Sequence, residues 1–137
     1  MIKAIMTSNL EKGIEGYTAI PIIQGTYRLA ELPNNSCSHL VCDHAIESCN
    51  PDVDVVEDVS NLIRKGGQIN LIGVDLDALC QHYLSKQVND EEFSDFVTKF
   101  KNTRSLSSVR KKLSNKGMII TSVQVKGIQY EISAVRQ

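Results

Sequence analysis

The sequence predicts one α/β domain, a mixed and mainly parallel sheet closed by a C-terminal antiparallel hairpin. Three observations predict it. Strand-like runs alternate with helix-like stripes along 137 residues, the pattern of a layered domain. The hydrophobic fraction is 42%, which supplies a core and argues against disorder as the main state. The last two apolar runs, residues 118–125 and 128–135, are joined by Lys126-Gly127, a hairpin with glycine in its turn. No repeat, linker or low-complexity stretch divides the chain, so residues 1–137 are read as a single domain.

The elements follow in order. Residues 2–6 form a short apolar run and a first strand, and residues 7–16, polar and holding Gly13 and Gly16, read as a loop. Residues 17–23 read as a second strand, although Pro21 removes a ladder donor. Residues 26–30 are expected as a short edge strand, Pro33-Asn34-Asn35-Ser36 as a turn, and residues 38–42 as a further strand. After Pro51-Asp52, a helical stripe of Val56, Val59, Ser60 and Ile63 is widened by Val55 and Leu62. Acids fill its first turn, Arg64-Lys65 are expected in its last, and Gly66-Gly67 end it. Residues 68–74 alternate as a strand does. Leu76, Leu79, Cys80 and Tyr83 then fall at helical spacing, as do Phe93, Phe96, Val97 and Phe100 behind the N-cap candidate Asp90. A last helix carries Leu106, Val109 and Leu113, starting near Ser105 and stopping at Gly117.

Charge is unevenly spread. Residues 1–98 hold 6 Lys and Arg against 15 Asp and Glu, and residues 99–137 hold 9 against one. Lys99, Lys101, Arg104, Arg110, Lys111, Lys112 and Lys116 form the basic segment. It reads first as a solvated helix face opposite Leu106, Val109 and Leu113; the alternative is a phosphate-contacting nucleic-acid surface, with few aromatics to stack bases. No stretch approaches the ~20 apolar residues of a membrane span, and the start lacks a secretory h-region, so a soluble cytoplasmic protein is expected. Without a signal peptide, Cys37, Cys42, Cys49 and Cys80 read as buried or semi-buried thiols.

Several residues have the chemistry of a site. His44 and Glu47 stand three apart at a helix start, either as a proton-transfer pair or substrate anchor, or as capping and first-turn charge. Asp43 falls where a strand ends and ligands of open α/β sheets bind, with an N-cap as the alternative. Cys37, His39, Cys42, His44 and Cys49 are a dense group of zinc-ligand types. On a strand, however, Cys37 and His39 are expected on one side and Cys42 and His44 on the other, so no metal is assigned. Phe93, Phe96 and Phe100 read as core, or as an apolar stripe that a partner covers.

The segment Glu31-Leu32-Pro33-Asn34-Asn35-Ser36-Cys37-Ser38-His39-Leu40-Val41-Cys42-Asp43-His44-Ala45-Ile46-Glu47 resembles the middle of the class I S-adenosylmethionine (SAM)-dependent methyltransferases. There an "LP…SFD" turn enters the fourth strand and an "H-x-L-E" helix start follows. Leu62-Ile63-Arg64-Lys65-Gly66-Gly67-Gln68-Ile69 resembles the family's "L-K-P-G-G-x-h" turn into the fifth strand, with Lys65 in place of proline. Gly73-Val74-Asp75-Leu76-Asp77-Ala78-Leu79 resembles its "P-D-L-x-x-L" continuation, and residues 105–135 its last helix and reversed strand. Ile14-Glu15-Gly16-Tyr17-Thr18-Ala19-Ile20 is similar to its "GY-x-N-h-D" second strand.

The resemblance implies a truncated Rossmann-like fold and, if the protein is active, SAM as cofactor. Ser8, Asn9 and Gly13 would then lie near the methionine part, Glu31 and Leu32 near the adenine, and Asp43, His44 and Glu47 near the transferred methyl. Against this, residues 7–13 lack the family's Gly-rich loop, and its first helix is missing or reduced to a turn. Pro21 or an apolar neighbour stands at the ribose-binding acid, and Arg28 at the acid near the adenine, where its charge has the wrong sign for a sulfonium cofactor. Losing several hydrogen bonds at about 1–3 kcal/mol each weakens affinity by orders of magnitude. The expectation is a degenerate methyltransferase-like protein with no cofactor, serving as a structural or partner-binding subunit or homodimer. The eroded, compact chain suits a phage or bacterial genome.

Overall fold

The computed structural model describes every residue except 1, 10, 30 and 101. The first apolar run becomes β1 (Ile2–Thr7), and β2 (Thr18–Pro21) lies parallel beside it, ending at Pro21 on the sheet edge, where a missing N–H is tolerated. Next come β3 (Cys37–Asp43), the single-turn α1 (Ala45–Ser48), α2 (Val55–Leu62) and β4 (Ile63–Val74). Beyond β4 lie α3 (Leu76–Leu84), α4 (Asp90–Lys99), α5 (Leu106–Asn115) and the hairpin β5 (Met118–Lys126) and β6 (Gln129–Arg136). The sheet runs β2-β1-β3-β4-β6-β5: four parallel strands, then β6 and β5 antiparallel. Gly127, at φ +58, and Ile128 make the hairpin turn.

Alternation along the strands decides the core. Ala4, Met6, Leu40, Cys42, Ile69, Leu71, Ile132 and Ala134 face one side. There they meet Ala45 and Ile46 of α1, Val56 and Val59 of α2, and Val109 and Leu113 of α5. Asp54, Asp75, Asn89 and Ser105 cap α2, α3, α4 and α5 with side-chain oxygens on backbone N–H groups. The opposite side of the sheet buries Ile5 and Val41. On it Tyr17 Oη is hydrogen-bonded to His39 Nδ1, and Gln68 donates to Asn70.

Six expectations change. The N-cap of α4 is Asn89, whose side chain accepts from the Glu92 N–H, and not Asp90, which is already the first helical residue. Residues 26–30 form no strand among those described: Ile23 and Thr26 are bridged across Gln24 and Gly25, both left-handed (φ 53 and 77), so the chain reverses in a tight turn. Arg64 and Lys65 are not in the helix, because Ile63 is already extended (ψ 130) and fully buried as the chain enters the sheet. The α3 stripe narrows to Leu79; Leu76 and Cys80 are exposed, since the helix sits at the end of the sheet, beside the hairpin turn, and not on its face. Helix α4 buries no residue fully; Phe93 packs edge-on against Tyr83, centroids 4.2 Å apart. Finally, Cys37 and Cys42 share the helix-covered core rather than opposite sides, because the β3 register shifts between Cys37 and His39.

Candidate functional site

The parallel sheet has one switch point. From β1 the chain passes to β2 on one side, whereas β3 pairs on the other, so a crevice opens above the C-terminal ends of β1 and β3. Thr7 and Asp43 end those strands and face each other in register. The Thr7 hydroxyl donates to Asp43 Oδ2 at 3.0 Å and accepts the Asn9 N–H at 3.0 Å. Lys12, from the β1–β2 connection, places Nζ 3.2 Å from Asp43 Oδ2. The Asp43 side chain is 11% exposed and that of Lys12 55%. Asp43 thus serves as an anchored anion and not as the N-cap; that position belongs to His44, which makes no side-chain cap bond.

His44 is left-handed (φ 50, ψ 32), a strained conformation for a non-glycine residue. Two backbone bonds hold it: its N–H donates to Ile72 O at 2.9 Å, and its carbonyl accepts from Ser48 at 3.1 Å. Its Nδ1 lies 2.9 Å from Glu47 Oε2, and the Glu47 side chain is 1% exposed. Burial pushes the Glu47 carboxyl above the usual carboxylate range, opposed by the His44 hydrogen bond and charge and by the backbone N–H of Val74. Gly73 makes room for this arrangement, since a Cβ there would stand 2.5 Å from both Glu47 Oε1 and Tyr130 Oη. Burial likewise raises the Tyr130 hydroxyl far above its ordinary value.

The stripe of phenylalanines completes the crevice. The His44 ring lies nearly parallel to Phe100 (5.9 Å, 17°), and Phe100 to Phe96 (6.0 Å, 26°). Lys99 Nζ stands 5.4 Å from the Phe100 ring centre. These rings, with Ser8, Asn9 and Asp43, enclose a cavity of about 360 Å³. In chemical terms it offers one neutralised carboxylate, one imidazole held by a buried acid, and aromatic faces.

The remaining candidates are dispersed. Glu31 and Leu32 line a different cavity of about 520 Å³ along β2, together with Arg28. Gly13 lines neither, and its missing side chain faces open space. Cys37, Cys42 and Cys49 are buried, burial raising the Cys42 thiol strongly, and no group of three metal-ligating side chains converges among the described residues. Of the basic segment, Lys116 pairs with Glu57 at 3.1 Å, Arg110 lines a hollow with Asp75 and Asp77, and Lys111 is exposed. Arg104 and Lys112 share a cavity with Asp52 and Asp54, and Lys101 lies outside the described residues. Lys12 and Thr7 were missed by sequence reasoning. Lys12 and Asp43 are 31 positions apart, and only the strand order joins them.

No family model and no curated protein matches the chain in sequence. Solved structures do match in fold. A SAM-dependent methyltransferase from Mesorhizobium loti is 10% identical, with TM-score 0.64 over 98% of this chain and 80% of its own. A complex between the Trm112 methyltransferase activator of Haloferax volcanii and a methyltransferase gives 7% identity and TM-score 0.60 over 97% and 71%. Human N-acetylserotonin methyltransferase, solved with SAM, gives 16% identity and TM-score 0.57 over 91% and 35%. Among the described residues no helix is long and apolar enough to cross a membrane. The mixed sheet, mostly parallel with a reversed C-terminal hairpin, is therefore the fold of the class I SAM-dependent methyltransferases.

Proposed function

We propose that this protein uses the methyltransferase scaffold without its cofactor, as a non-catalytic structural or partner-binding subunit of the cytoplasm. The Lys12–Asp43 ion pair carries the reading. It occupies the carboxylate at the switch point with a lysine of this chain, where a sulfonium cofactor would need a free acceptor. Two further observations support it: Arg28 in the cavity beside β2, and the split of Ser8 and Asn9 from Glu31 and Leu32 into separate cavities. A homodimer or a protein partner fits this role. A neighbour in fold belongs to a complex with an activator protein. Titration calorimetry with SAM and S-adenosylhomocysteine tests the reading: no binding is expected, and micromolar affinity for either overturns it.

One observation favours a second reading, an active methyltransferase with an unusual cofactor loop. Glu47 holds His44 Nδ1, which leaves Nε2 as the nitrogen able to take a proton from an acceptor in the cavity. In that reading Ser8, Asn9, Gly13, Glu31 and Leu32 hold the cofactor, and Asp43 orients the acceptor. Methyl transfer to any acceptor, lost in His44→Ala and Glu47→Gln, is its test. Nucleic-acid binding through Lys99, Lys101, Arg104, Arg110, Lys111 and Lys112 has less support, because four of the described members stand near acids or the crevice. It requires a salt-dependent shift with generic DNA or RNA.

A further inference from the structure

An open sheet has two edge strands, and each offers unpaired N–H and C=O groups to any strand that reaches it. The edges of this sheet, β2 and β5, differ. Strand β2 has four residues and ends at Pro21, which has no N–H to offer. Strand β5 has nine, with no proline and a single charge at its last residue, Lys126. We propose that β5 pairs with β5 of a second copy, antiparallel about a two-fold axis at Gln124, so that one sheet runs through both copies. This rests on the reading of a partner-binding subunit and names the partner as a second copy of the chain.

The hairpin decides which backbone groups are free. Only Gly127 and Ile128 separate β5 from β6, and Lys126 stands opposite Gln129. A two-residue turn closes on a pair that exchanges both backbone hydrogen bonds, and such pairs recur at every second position. Lys126, Gln124 and Ser122 therefore spend their backbone groups on Gln129, Glu131 and Ser133. Val123 and Val125 turn theirs to the open edge, where among the described residues no loop or side chain bonds them. The register shift between Ile120 and Ser122 ends this regular stretch. One self-pairing uses both valines within it. With Gln124 opposite the partner's Gln124, Val123 faces the partner's Val125 and Val125 the partner's Val123. Each facing pair exchanges both bonds, so every free group of the two valines finds a partner. An axis at Val123 or Val125 instead sets one valine against irregular Thr121 or turn residue Gly127. The side chains agree with this register. Val123 and Val125 stand opposite buried Ile132 and Tyr130, on the helix-covered face, and Val125 is 53% exposed. Pairing puts the valines of both copies in one row on that face. Lys126 falls beside the partner's Ser122, at the far end of the ladder from the partner's Lys126, so like charges stay apart.

Sedimentation equilibrium on the whole chain tests the pairing. The mass is expected to rise with concentration from 15.2 kDa toward twice that value. Hydrogen exchange at the Val123 and Val125 amides is expected to slow about tenfold or more as the dimer forms. Val125→Pro removes an N–H that faces the edge and leaves the ladder to β6 whole, so a monomer with an unchanged circular dichroism spectrum is expected. Val125→Lys keeps that N–H, puts a charge into the row of valines and is expected to raise the dissociation constant about tenfold or more. If the proline variant loses its circular dichroism, the lysine variant decides. Ile23→Lys changes an apolar residue, 59% exposed, just beyond the other edge strand and is expected to leave the dimer intact. The mass of one chain up to about 1 mM protein overturns the proposal. So does a dimer that survives the Val125 variants, one lost equally in Ile23→Lys, or one that leaves the Val123 and Val125 amides unprotected. If SAM binds and the dimer forms as described, only the lost-cofactor reading fails. If SAM does not bind and the chain stays monomeric, only the pairing fails.

Discussion

The sheet is built in two styles. From β3 onward each connection longer than a hairpin turn carries helix, and α1, α2 and α5 cover one face with apolar side chains. Between β1 and β2, and between β2 and β3, the described residues form only turns, bends and bridges. Both styles share one sheet but spend their residues differently. The helix-bearing half closes a core, in which a side chain is fixed by volume. The loop-bearing half delivers polar groups such as Thr7, Asn9 and Lys12 to the crevice. Strands of both halves feed the core, through Ala4, Met6, Ile20 and Ile22 on one side of the seam, but only one half covers it with helices, and the chemistry of the crevice lies where the two meet.

Two glycines sharpen the contrast. Gly73→Ala forces a methyl to 2.5 Å from Glu47 Oε1 and Tyr130 Oη in the helix-bearing half, and a loss of about 3 kcal/mol is expected by urea denaturation. Gly13→Ala in the loop meets open space and is expected to change stability by no more than about 0.5 kcal/mol. Comparable losses at both would break the comparison, because the loop would then be packed as tightly as the core.

The next effect lies on the bond that ties the halves together. The Tyr27 hydroxyl donates to Asp58 Oδ2 at 2.6 Å, joining the β2–β3 connection to α2, and burial with this bond raises the Tyr27 hydroxyl far above its ordinary value. Tyr27→Phe removes a hydrogen bond to a charged acceptor and is expected to cost about 1.5 kcal/mol. Hydrogen exchange should show the loss chiefly as faster opening of residues 22–36. If α5 and β6 exchange faster to the same degree, the connection is part of the core and the two-style description is wrong.

What the sequence made legible follows the same division. Elements of the helix-bearing half announce themselves by local rules: the Val56, Val59 and Ser60 stripe widened by Val55 and Leu62, the helix start near Ser105, the Gly117 stop and the Gly127 hairpin appear as expected. Errors fall where local rules compete. Residues 26–30 have strand propensity, but Gln24 and Gly25 bend the chain first. The α3 and α4 stripes are periodic, yet these helices cap the sheet end and bury little. Asp43, His44 and Glu47 were legible as a group because they are close in sequence. Lys12 was not, since its role comes from the switch point between β1 and β3, a property of strand order that no local pattern encodes. Nor does any local pattern announce the left-handed backbone of His44.

The smallest predicted effect is also the one that reads the seam directly, through the pH dependence set by Glu47. Its folded carboxyl is raised above its ordinary value of 4.5, chiefly by burial. Between the unfolded and folded pKa values the folded state therefore binds more protons than the unfolded one, and stability falls as pH rises. The contribution is fully present below about pH 4.5 and is lost as pH rises through the folded value. Glu47→Gln keeps the acceptor for His44 and removes the titration. Below pH 4.5 the variant is expected within about 0.5 kcal/mol of the unmodified protein, since a protonated carboxyl and an amide present similar hydrogen-bonding groups. Above it the two urea-derived stability curves should diverge, with the variant becoming the more stable. Divergence in the other direction would mean that His44 and the Val74 N–H outweigh burial, so that Glu47 sits ionised in the folded state as the permanent counter-ion of His44.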